Sequence, residues 1–274
     1  MGEGASAAGG RVKVLAVAVS GRGLVDPHTP VFAADDEALL RGRAVFETVR
    51  VYGGRPFMLE AHVERLARSA ARVRLPEPDA AECLRLADGV IKSAGVGDLS
   101  LRFYWTGQTL VSSGAAIPPE IEELRARGIR LAVVRWSTGA LAGAKSTSYA
   151  ENMGAQDDAV ERGADDALFV AHDGTVLEAP TANVWWRDGE RLLTPSLDLP
   201  ILAGVTRALL LDLAPAAGYG VDEGVFPLDR LLAADEVFLT SSVREVMPVA
   251  AVDGKAFELG PAARALQLAL RSRT

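Results

Sequence analysis

The sequence predicts a protein of the α/β (α+β) class with an N-terminal and a C-terminal domain. Three observations predict this. The 274 residues are 49% hydrophobic, which is enough for one large core or two smaller ones. Segments with strand and with helix periodicity both occur along the whole chain. Residues 137–144 interrupt them with small side chains that lack hydrophobic periodicity, a pattern typical of a loop between domains.

The predicted domain limits follow from this loop. Residues 11–136 form the N-terminal domain, 137–144 the interdomain loop and 145–274 the C-terminal domain. Residues 1–10 are rich in Gly and Ala, and they have neither the basic start nor the apolar core of a signal peptide. We therefore expect a mobile tail there.

In the N-terminal domain, β-branched and aromatic residues predict strands, and apolar residues spaced three and four apart predict helices. The Gly53-Gly54 pair predicts a hairpin turn, and Pro76 stops a helix. The predicted elements are strands at 12–19, 45–52 and 55–58, helices at 59–73 and 80–94, a strand at 99–106, a short charged helix after Pro119, and a strand at 128–136.

The C-terminal domain is predicted from the same two patterns. Its elements are a helix at 148–162, strands at 168–171, 175–177, 183–186 and 192–194, helices at 205–214 and 228–233, strands at 236–240 and 248–252, and a helix from Pro261. No internal repeat is visible in the sequence.

Charge and hydropathy exclude several classes of partner. The formal net charge is −7, and 29 Lys and Arg are dispersed among 36 Asp and Glu, so there is no basic field for nucleic acid. No apolar run reaches the roughly 18 residues that a membrane-spanning helix needs, so no membrane partner is predicted. Cys83 is the single cysteine, which excludes an intrachain disulfide, and we expect a cytoplasmic protein.

Motifs for metals and nucleotides are absent from the sequence. His28, His62 and His172 lie far apart and match no metal-ligand spacing, so no metal site is predicted. Neither a Gly-x-Gly-x-x-Gly sequence nor a Walker-type loop is present. This disfavours dinucleotides and nucleoside triphosphates as ligands.

Three segments in the second half predict a different cofactor. Lys145 follows small residues that leave room for a flat ring, and a lysine amine becomes a nucleophile when its charged form is disfavoured. Glu178 ends a predicted strand, where its carboxylate could hold a pyridine nitrogen protonated. Gly204-Val205-Thr206 opens a helix whose N–H groups and hydroxyl suit a phosphate dianion. Together these features predict pyridoxal phosphate.

Each of these residues taken singly is also compatible with a structural role. Lys145 fits a solvated surface lysine, and Glu178 fits a capping or salt-bridged glutamate. Any helix start with a threonine near its first residue would look similar to the one at 205. A Thr240-Ser241-Ser242 turn offers further hydroxyl and N–H groups, and it equally fits a plain polar turn.

Several stretches in a fixed order give the sequence a family resemblance. They are residues 42–52, 62–66, 145–152, 178–183, 202–207 and 234–249. In these stretches the chain resembles the class IV aminotransferases, the fold-type IV pyridoxal phosphate enzymes that include branched-chain aminotransferases, D-amino-acid transaminases and aminodeoxychorismate lyases. The resemblance implies a smaller N-terminal domain, a larger barrel-like C-terminal domain and a homodimer.

The resemblance also implies roles for single residues. Lys145 matches the lysine that forms the Schiff base, Glu178 the partner of the pyridine nitrogen, and Arg65 the arginine that grips the phosphate. Further cofactor contacts are implied for Val205 and Thr206 at the helix start, for Ser242 in place of the usual threonine, and for Tyr149 at the ring hydroxyl. The tyrosine is one residue closer to the lysine than in the branched-chain pattern.

Four arginines lie in segments that face the substrate in this family, namely Arg41, Arg43, Arg102 and Arg244. Arginine suits carboxylates, so we predict that some of them bind amino acids and 2-keto acids. Arg41-Gly42-Arg43 replaces the aromatic-Gly-Asp that is common in branched-chain and familiar D-amino-acid enzymes of this family. This replacement disfavours a standard branched-chain pocket.

The function implied by the resemblance is transamination by a ping-pong mechanism through Lys145, with D-amino acids such as D-alanine or D-glutamate as donors. The Lys-Ser-Thr-Ser-Tyr stretch also resembles some aminodeoxychorismate lyases, which form 4-aminobenzoate and pyruvate. Glu47, however, stands where several lyases carry threonine. The lyase is therefore the first alternative, followed by a branched-chain L-amino-acid aminotransferase and then a catalytically silent scaffold.

Overall fold

Strands and helices alternate through the computed structural model, which describes residues 13–274. The strands are β1 (Val14–Val19), β2 (Gly23–Val25), β3 (Val45–Tyr52), β4 (Arg55–Pro56), β5 (Leu99–Trp105), β6 (Leu110–Ala115), β7 (Ile129–Trp136), β8 (Asp166–Ala171), β9 (Asn183–Asp188), β10 (Arg191–Pro195), β11 (Gly220–Gly224), β12 (Glu236–Ser241), β13 (Glu245–Val252) and β14 (Lys255–Ala256). The helices are α1 (Glu37–Arg41), α2 (Leu59–Arg72), α3 (Ala80–Ala94), α4 (Glu120–Arg127), α5 (Ala150–Glu161), α6 (Val205–Leu213), α7 (Leu228–Leu232) and α8 (Pro261–Arg271). The tail predicted for residues 1–10 lies outside the described residues.

The smaller sheet has six strands in the order β2-β1-β6-β5-β3-β4, and all its neighbouring pairs are antiparallel. Gly53 and Gly54 have φ angles of 53° and 80°, which allow the predicted tight turn between β3 and β4. Helices α2 and α3 cover one face of this sheet, where Val49, Leu66 and Phe103 are fully buried. The apolar residues spaced three and four apart in the sequence thus form the face that each helix buries against the sheet.

The larger sheet has the order β11-β10-β9-β12-β13-β7-β8, with β14 added to β13. The pairs β10/β11, β13/β7 and β7/β8 are parallel, and the other pairs are antiparallel. Both faces are covered, since Trp186 belongs to a hydrophobic cluster on one face and Trp185 to the cluster that α6 and α8 form on the other. The mixed α/β class predicted from the sequence is therefore confirmed.

The chain changes from the smaller to the larger sheet earlier than the sequence predicts. Residues 11–136 are predicted as one domain, but β7 pairs with β13 and β8. In addition, Ile121 of α4 and Ile129 of β7 belong to a hydrophobic cluster of the larger sheet. The change of sheet thus lies between β6 and α4, and the loop at 137–144 follows a strand of the larger sheet. Long-range pairing decides which sheet a strand joins, and local periodicity does not reveal it.

Further differences are local, and they include the short elements β2, α1 and β11, which are not predicted. The strand predicted at 175–177 is replaced by isolated bridges that involve Thr175 and Val176. Strand β6 is not predicted, because Ser112 and Gly114 interrupt its apolar pattern, yet it joins β1 to β5 in the sheet. Among residues 13–274, no helix is long and apolar enough to span a bilayer.

Candidate active site

Lys145 lies on the loop between β7 and α5, and this loop is attached to the smaller sheet. Its backbone N–H donates to Ser69 Oγ at 3.1 Å, and its carbonyl accepts from the N–H of Phe46 at 2.9 Å. Ser146 forms an isolated bridge with Val45 of β3. The backbone of the lysine is therefore fixed against β3 and α2, although the chain reaches it from the larger sheet.

The amino group of Lys145 lies beside two aromatic rings. Nζ is 4.4 Å from the centre of the Phe46 ring and 6.0 Å from that of Tyr149. Burial lowers the pKa of Lys145 to about 8, a shift that the carboxylates of Glu47 and Glu178 oppose. An appreciable fraction of the amine is therefore neutral near pH 7, and the neutral amine is the nucleophilic form.

Glu178 lies in the segment that joins β8 to β9. Its carboxylate accepts from the backbone N–H of Leu202, at 3.2 Å and 3.1 Å to its two oxygens, and from Asn183 Nδ2 at 3.1 Å. Burial raises the pKa of Glu178 to about 7, although the hydrogen bond from Leu202 favours the ionised form. Its hydrogen-bond partners within residues 13–274 are all uncharged, so a cationic group would fit beside it.

The segment 201–204 connects Glu178 to the start of α6. Asn183 Nδ2 also donates to the carbonyl of Leu202 at 2.9 Å. Asn183 Oδ1 packs so closely against Gly204 that a Cβ atom at this position would lie 2.0 Å from it. Only glycine fits at position 204. Because Asn183 bonds to Glu178 and packs against Gly204, it fixes the Glu178 carboxylate relative to the start of α6.

The start of α6 has the properties of an anion site. Gly204 is its N-cap and provides no side-chain cap, so the first N–H groups of the helix have no acceptor within it. Val205 and Thr206 occupy this first turn and line a cavity together with His62 and Ser242. The helix dipole adds a partial positive charge at this end.

Arg65 of α2 approaches the same helix start. Its Nη1 donates to the carbonyl of Ala203 at 3.1 Å, while Nε and Nη2 donate to the two carboxylate oxygens of Glu47 at 2.7 Å and 2.8 Å. His62 Nδ1 lies 2.9 Å from the same carboxylate. Burial disfavours the ionised form of Glu47, but the charge of Arg65 and its hydrogen bonds lower the pKa of Glu47 to about 2. This ion pair is not predicted from the sequence, where its signal is an acid inside a strand that precedes the His-x-x-Arg helix.

Tyr149 is the N-cap of α5 and lies between the lysine and the Glu178 segment. Its ring packs edge to face on Phe46, with the ring centres 5.4 Å apart. Its hydroxyl donates to the carbonyl of Pro180, and burial raises the pKa of Tyr149. The tyrosine thus lies beside Lys145, with its hydroxyl bonded to the backbone of the segment that carries Glu178.

The four arginines predicted to face the substrate differ in their partners. Arg102 on β5 is exposed, its Nη1 lies 3.4 Å from the Tyr104 hydroxyl, and its charge contributes to the lowered pKa of Lys145. The other three have acidic partners: Arg41 pairs with Glu37, Arg43 pairs with Glu37 and donates to the carbonyls of Val73 and Arg74, and Arg244 pairs with Asp166 and donates to Thr181. Within residues 13–274, Arg102 alone of the four lacks a salt bridge.

The chain matches a known protein family over most of its length. The profile of the family described as Amino-transferase class IV matches residues 44–252, which is more than half of the chain. The chain belongs to the class IV aminotransferases. The family resemblance and the enzyme class predicted from the sequence are thereby confirmed.

Relatives of this class IV aminotransferase carry several activities in their names. The chain is 31% identical to an aminodeoxychorismate lyase of Bacillus subtilis, over 91% of this chain and 92% of the relative. It is 33% identical to a bifunctional aminodeoxychorismate lyase / D-amino acid transaminase of Mycobacterium tuberculosis, over 88% and 92%. A solved structure of a hypothetical aminotransferase from M. tuberculosis, in its alpha-ketoglutarate and PMP bound form, is 30% identical and has a TM-score of 0.88, covering 94% of this chain and 98% of the other. The structure of its PLP-bound form has a TM-score of 0.89.

In this class IV aminotransferase, the predicted cofactor residues form two neighbouring groups. The first group lies at the loop before α5 and consists of Lys145, Tyr149 and Glu178. The second group lies at the start of α6 and consists of Arg65, Val205, Thr206 and Ser242. The segment 201–204 joins the two groups. Of the four arginines predicted to face the substrate, Arg41 and Arg43 share one acidic partner, Glu37.

Proposed function

We propose that this protein is a pyridoxal-5′-phosphate-dependent transaminase that moves an amino group between a D-amino acid and a 2-keto acid. The observation that carries the proposal is the position of Lys145. Its amine has a lowered pKa and interacts electrostatically with the half-buried Glu178 carboxylate and with Arg65. Arg65 in turn bonds to the segment just before a helix start suited to phosphate. The PLP-bound and PMP-bound structures of the M. tuberculosis relative support the choice of cofactor.

The residues of the site fit this cofactor chemically. Pyridoxal phosphate supplies an aldehyde that binds amines covalently and a ring that accepts electrons when an α-proton leaves. Lys145 supplies the amine, and its Nζ is the base that takes up a proton from the substrate. Glu178 would hold the protonated ring nitrogen, because burial raises the pKa of its carboxyl group and a further cationic partner would stabilise the ionised form. Phe46 and Tyr149 supply aromatic walls beside the amine.

Phosphate binding is assigned to the second group of residues. The guanidinium of Arg65, the N–H groups of Val205 and Thr206 and the hydroxyl of Ser242 are donors, as a phosphate dianion requires. Arg65 donates to the carbonyl of Ala203 just before α6, and Val205, Thr206 and Ser242 line one small cavity. The 201–204 segment links these phosphate donors to the Glu178 carboxylate. Such a spacing suits a ligand that has a phosphate at one end and a ring nitrogen at the other.

Arg102 is our candidate for the group that binds a substrate carboxylate. It has no acidic partner within the described residues, and its charge acts on Lys145. An exposed guanidinium without a carboxylate partner can bind one in bidentate geometry. Arg41, Arg43 and Arg244 are weaker candidates, because Glu37 and Asp166 already neutralise them. A dicarboxylic substrate such as glutamate or 2-oxoglutarate suits this site.

A preference for D-amino acids is supported by the bifunctional M. tuberculosis relative. The second candidate function is that of an aminodeoxychorismate lyase, which the B. subtilis relative favours. Glu47 favours transamination, since several lyases carry threonine at this position in the family pattern. A homodimer and a cytoplasmic location remain part of the proposal, and sedimentation analysis of the purified protein tests the first of them.

A panel of half-reactions separates these functions. The holoenzyme is mixed with D-alanine, D-glutamate, L-leucine or aminodeoxychorismate, and the change in cofactor absorbance is followed over time. Products are assayed in parallel as keto acids or as 4-aminobenzoate. We expect fast conversion of the D-amino acids. Turnover of L-leucine without any D-amino acid would refute the D-preference, and release of 4-aminobenzoate without transamination would favour the lyase.

A further inference from the structure

We propose that Glu47 is the positioning residue of the phosphate site, because it fixes the guanidinium of Arg65 in the orientation that leaves its outer edge for phosphate. This inference rests on the function proposed above and extends it to a residue that does not itself touch the cofactor. Glu47 lies on β3 of the smaller sheet, and Arg65 lies on α2, which covers that sheet. Helix α6, in contrast, packs on the larger sheet.

The hydrogen bonds of Arg65 define which of its donors remain available. A guanidinium has five N–H donors arranged in a plane. Glu47 takes one from Nε and one from Nη2, at 2.7 Å and 2.8 Å, and the carbonyl of Ala203 takes one from Nη1 at 3.1 Å. One N–H on each of the two Nη atoms is left. These two N–H groups are available to the oxygens of one phosphate.

Burial makes the pair with Glu47 an effective support. The side chains of Arg65 and Glu47 are 6% and 0% exposed, so water cannot replace either partner. An isolated buried carboxylate is costly, and the ion pair with two hydrogen bonds offsets that cost only in one geometry. The carboxylate also accepts from His62 Nδ1 at 2.9 Å, and His62 lines the same cavity as Thr206 and Ser242. Glu47 thus orients two side chains of the phosphate site.

The same carboxylate also has an opposing effect on phosphate binding. The negative charge of Glu47 repels a phosphate, so removal of the charge alone would strengthen cofactor binding. Glutamine at position 47, however, would point its amide N–H groups at N–H groups of Arg65 or His62 in a site without water. Donors left without acceptors in such a site cost more than the hydrogen bonds they replace. The arginine would therefore leave its position, and phosphate binding would weaken.

The test compares two ligands that differ only in the phosphate. Dissociation constants of the apoenzyme for pyridoxal phosphate and for pyridoxal are measured by absorbance in the wild type and in Glu47→Gln. We expect the affinity for pyridoxal phosphate to fall about 10- to 100-fold, as for loss of a charged hydrogen bond, and the affinity for pyridoxal to stay unchanged. A merely structural role of Glu47 would weaken both ligands alike.

Matched variants complete the experiment. Glu236→Gln removes another carboxylate with 0% exposure and an arginine partner, at the far end of β12, and it should leave the ratio of the two affinities unchanged. Glu47→Asp keeps the charge but is one methylene shorter, so it should give an intermediate loss of phosphate affinity. This variant also provides the measurement if Glu47→Gln does not fold. In an Arg65→Ala background, Glu47→Gln should have no further effect on the ratio.

The outcomes separate the two proposals. A wild type that binds neither ligand at Lys145 would overturn the proposed function itself. A wild type that binds pyridoxal phosphate more tightly than pyridoxal, with the same ratio or a higher one in Glu47→Gln, would overturn the role of Glu47 and leave the function intact.

Discussion

The pH dependence of cofactor attachment follows from the pKa of Lys145. Only the neutral amine attacks an aldehyde, so attachment follows the neutral fraction. Burial lowers the pKa from its ordinary value of 10.5 to about 8. At pH 7.5, a pKa of about 8 leaves about one quarter of the amine neutral, whereas an ordinary lysine has about one neutral molecule in a thousand. The lowered pKa therefore enlarges the reactive fraction roughly 200-fold at this pH.

The assay is the rate at which pyridoxal phosphate in excess reacts with the apoenzyme, followed by absorbance across a pH series. Each rate is divided by that of Nα-acetyl-lysine at the same pH, so that ionisations of the cofactor cancel. The ratio should stay constant below about pH 8 and fall about tenfold per pH unit above it, because the protein amine is then already neutral. A ratio that stays constant to about pH 10 would refute the lowered pKa.

Two variants test the causes of the shift. The Glu178 carboxylate favours the charged form of Lys145, so Glu178→Gln should move the break in the profile to lower pH. The Arg65 cation disfavours the charged form, so Arg65→Ala should move the break to higher pH. Shifts in the same direction for both variants would contradict this electrostatic explanation.

Three further predictions concern catalysis and binding. Arg102→Ala should raise the KM for dicarboxylic substrates about tenfold with little change in kcat, and an unchanged KM for every acidic substrate removes Arg102 from the site. Arg85→Ala serves as the control, because this exposed arginine of α3 pairs with Glu82. Gly204→Ala should displace Asn183 from Glu178 and weaken cofactor binding in equilibrium dialysis, and wild-type affinity would contradict the close packing. Glu178→Gln should lower kcat by at least about 100-fold in steady-state assays while the cofactor still binds, and an unchanged kcat would argue against the ring-nitrogen role.

Elements with complete local signals were predictable from the sequence. Helix α3 has the predicted bounds because Asp79 caps its first N–H groups and Gly95 ends it with a φ of 67°. Strand β6 lacks such signals, since Ser112 and Gly114 are accommodated by its neighbours on both sides. The assignment of β7 to the larger sheet depends on β8 and β13, which lie far along the chain.

The site residues likewise divide into those with local sequence signals and those whose environment depends on distant contacts. The sequence predicts cofactor roles for Lys145 and Glu178 from short recognisable stretches, and in the structure the charge of each residue influences the pKa of the other. The environment of the arginines was not predictable in this way. Arg41 and Arg43 are bound by Glu37 of α1, a helix of five residues that the periodicity of the sequence does not reveal.

The covalent link between the cofactor and one lysine tests the account most directly. Purified protein is saturated with pyridoxal phosphate, reduced with borohydride and digested, and the modified peptide is identified by mass spectrometry. We predict a single phosphopyridoxyl adduct on Lys145, and none in Lys145→Ala. A protein that stays colourless with excess cofactor, or an adduct on another lysine with residue 145 unmodified, would contradict the central claim.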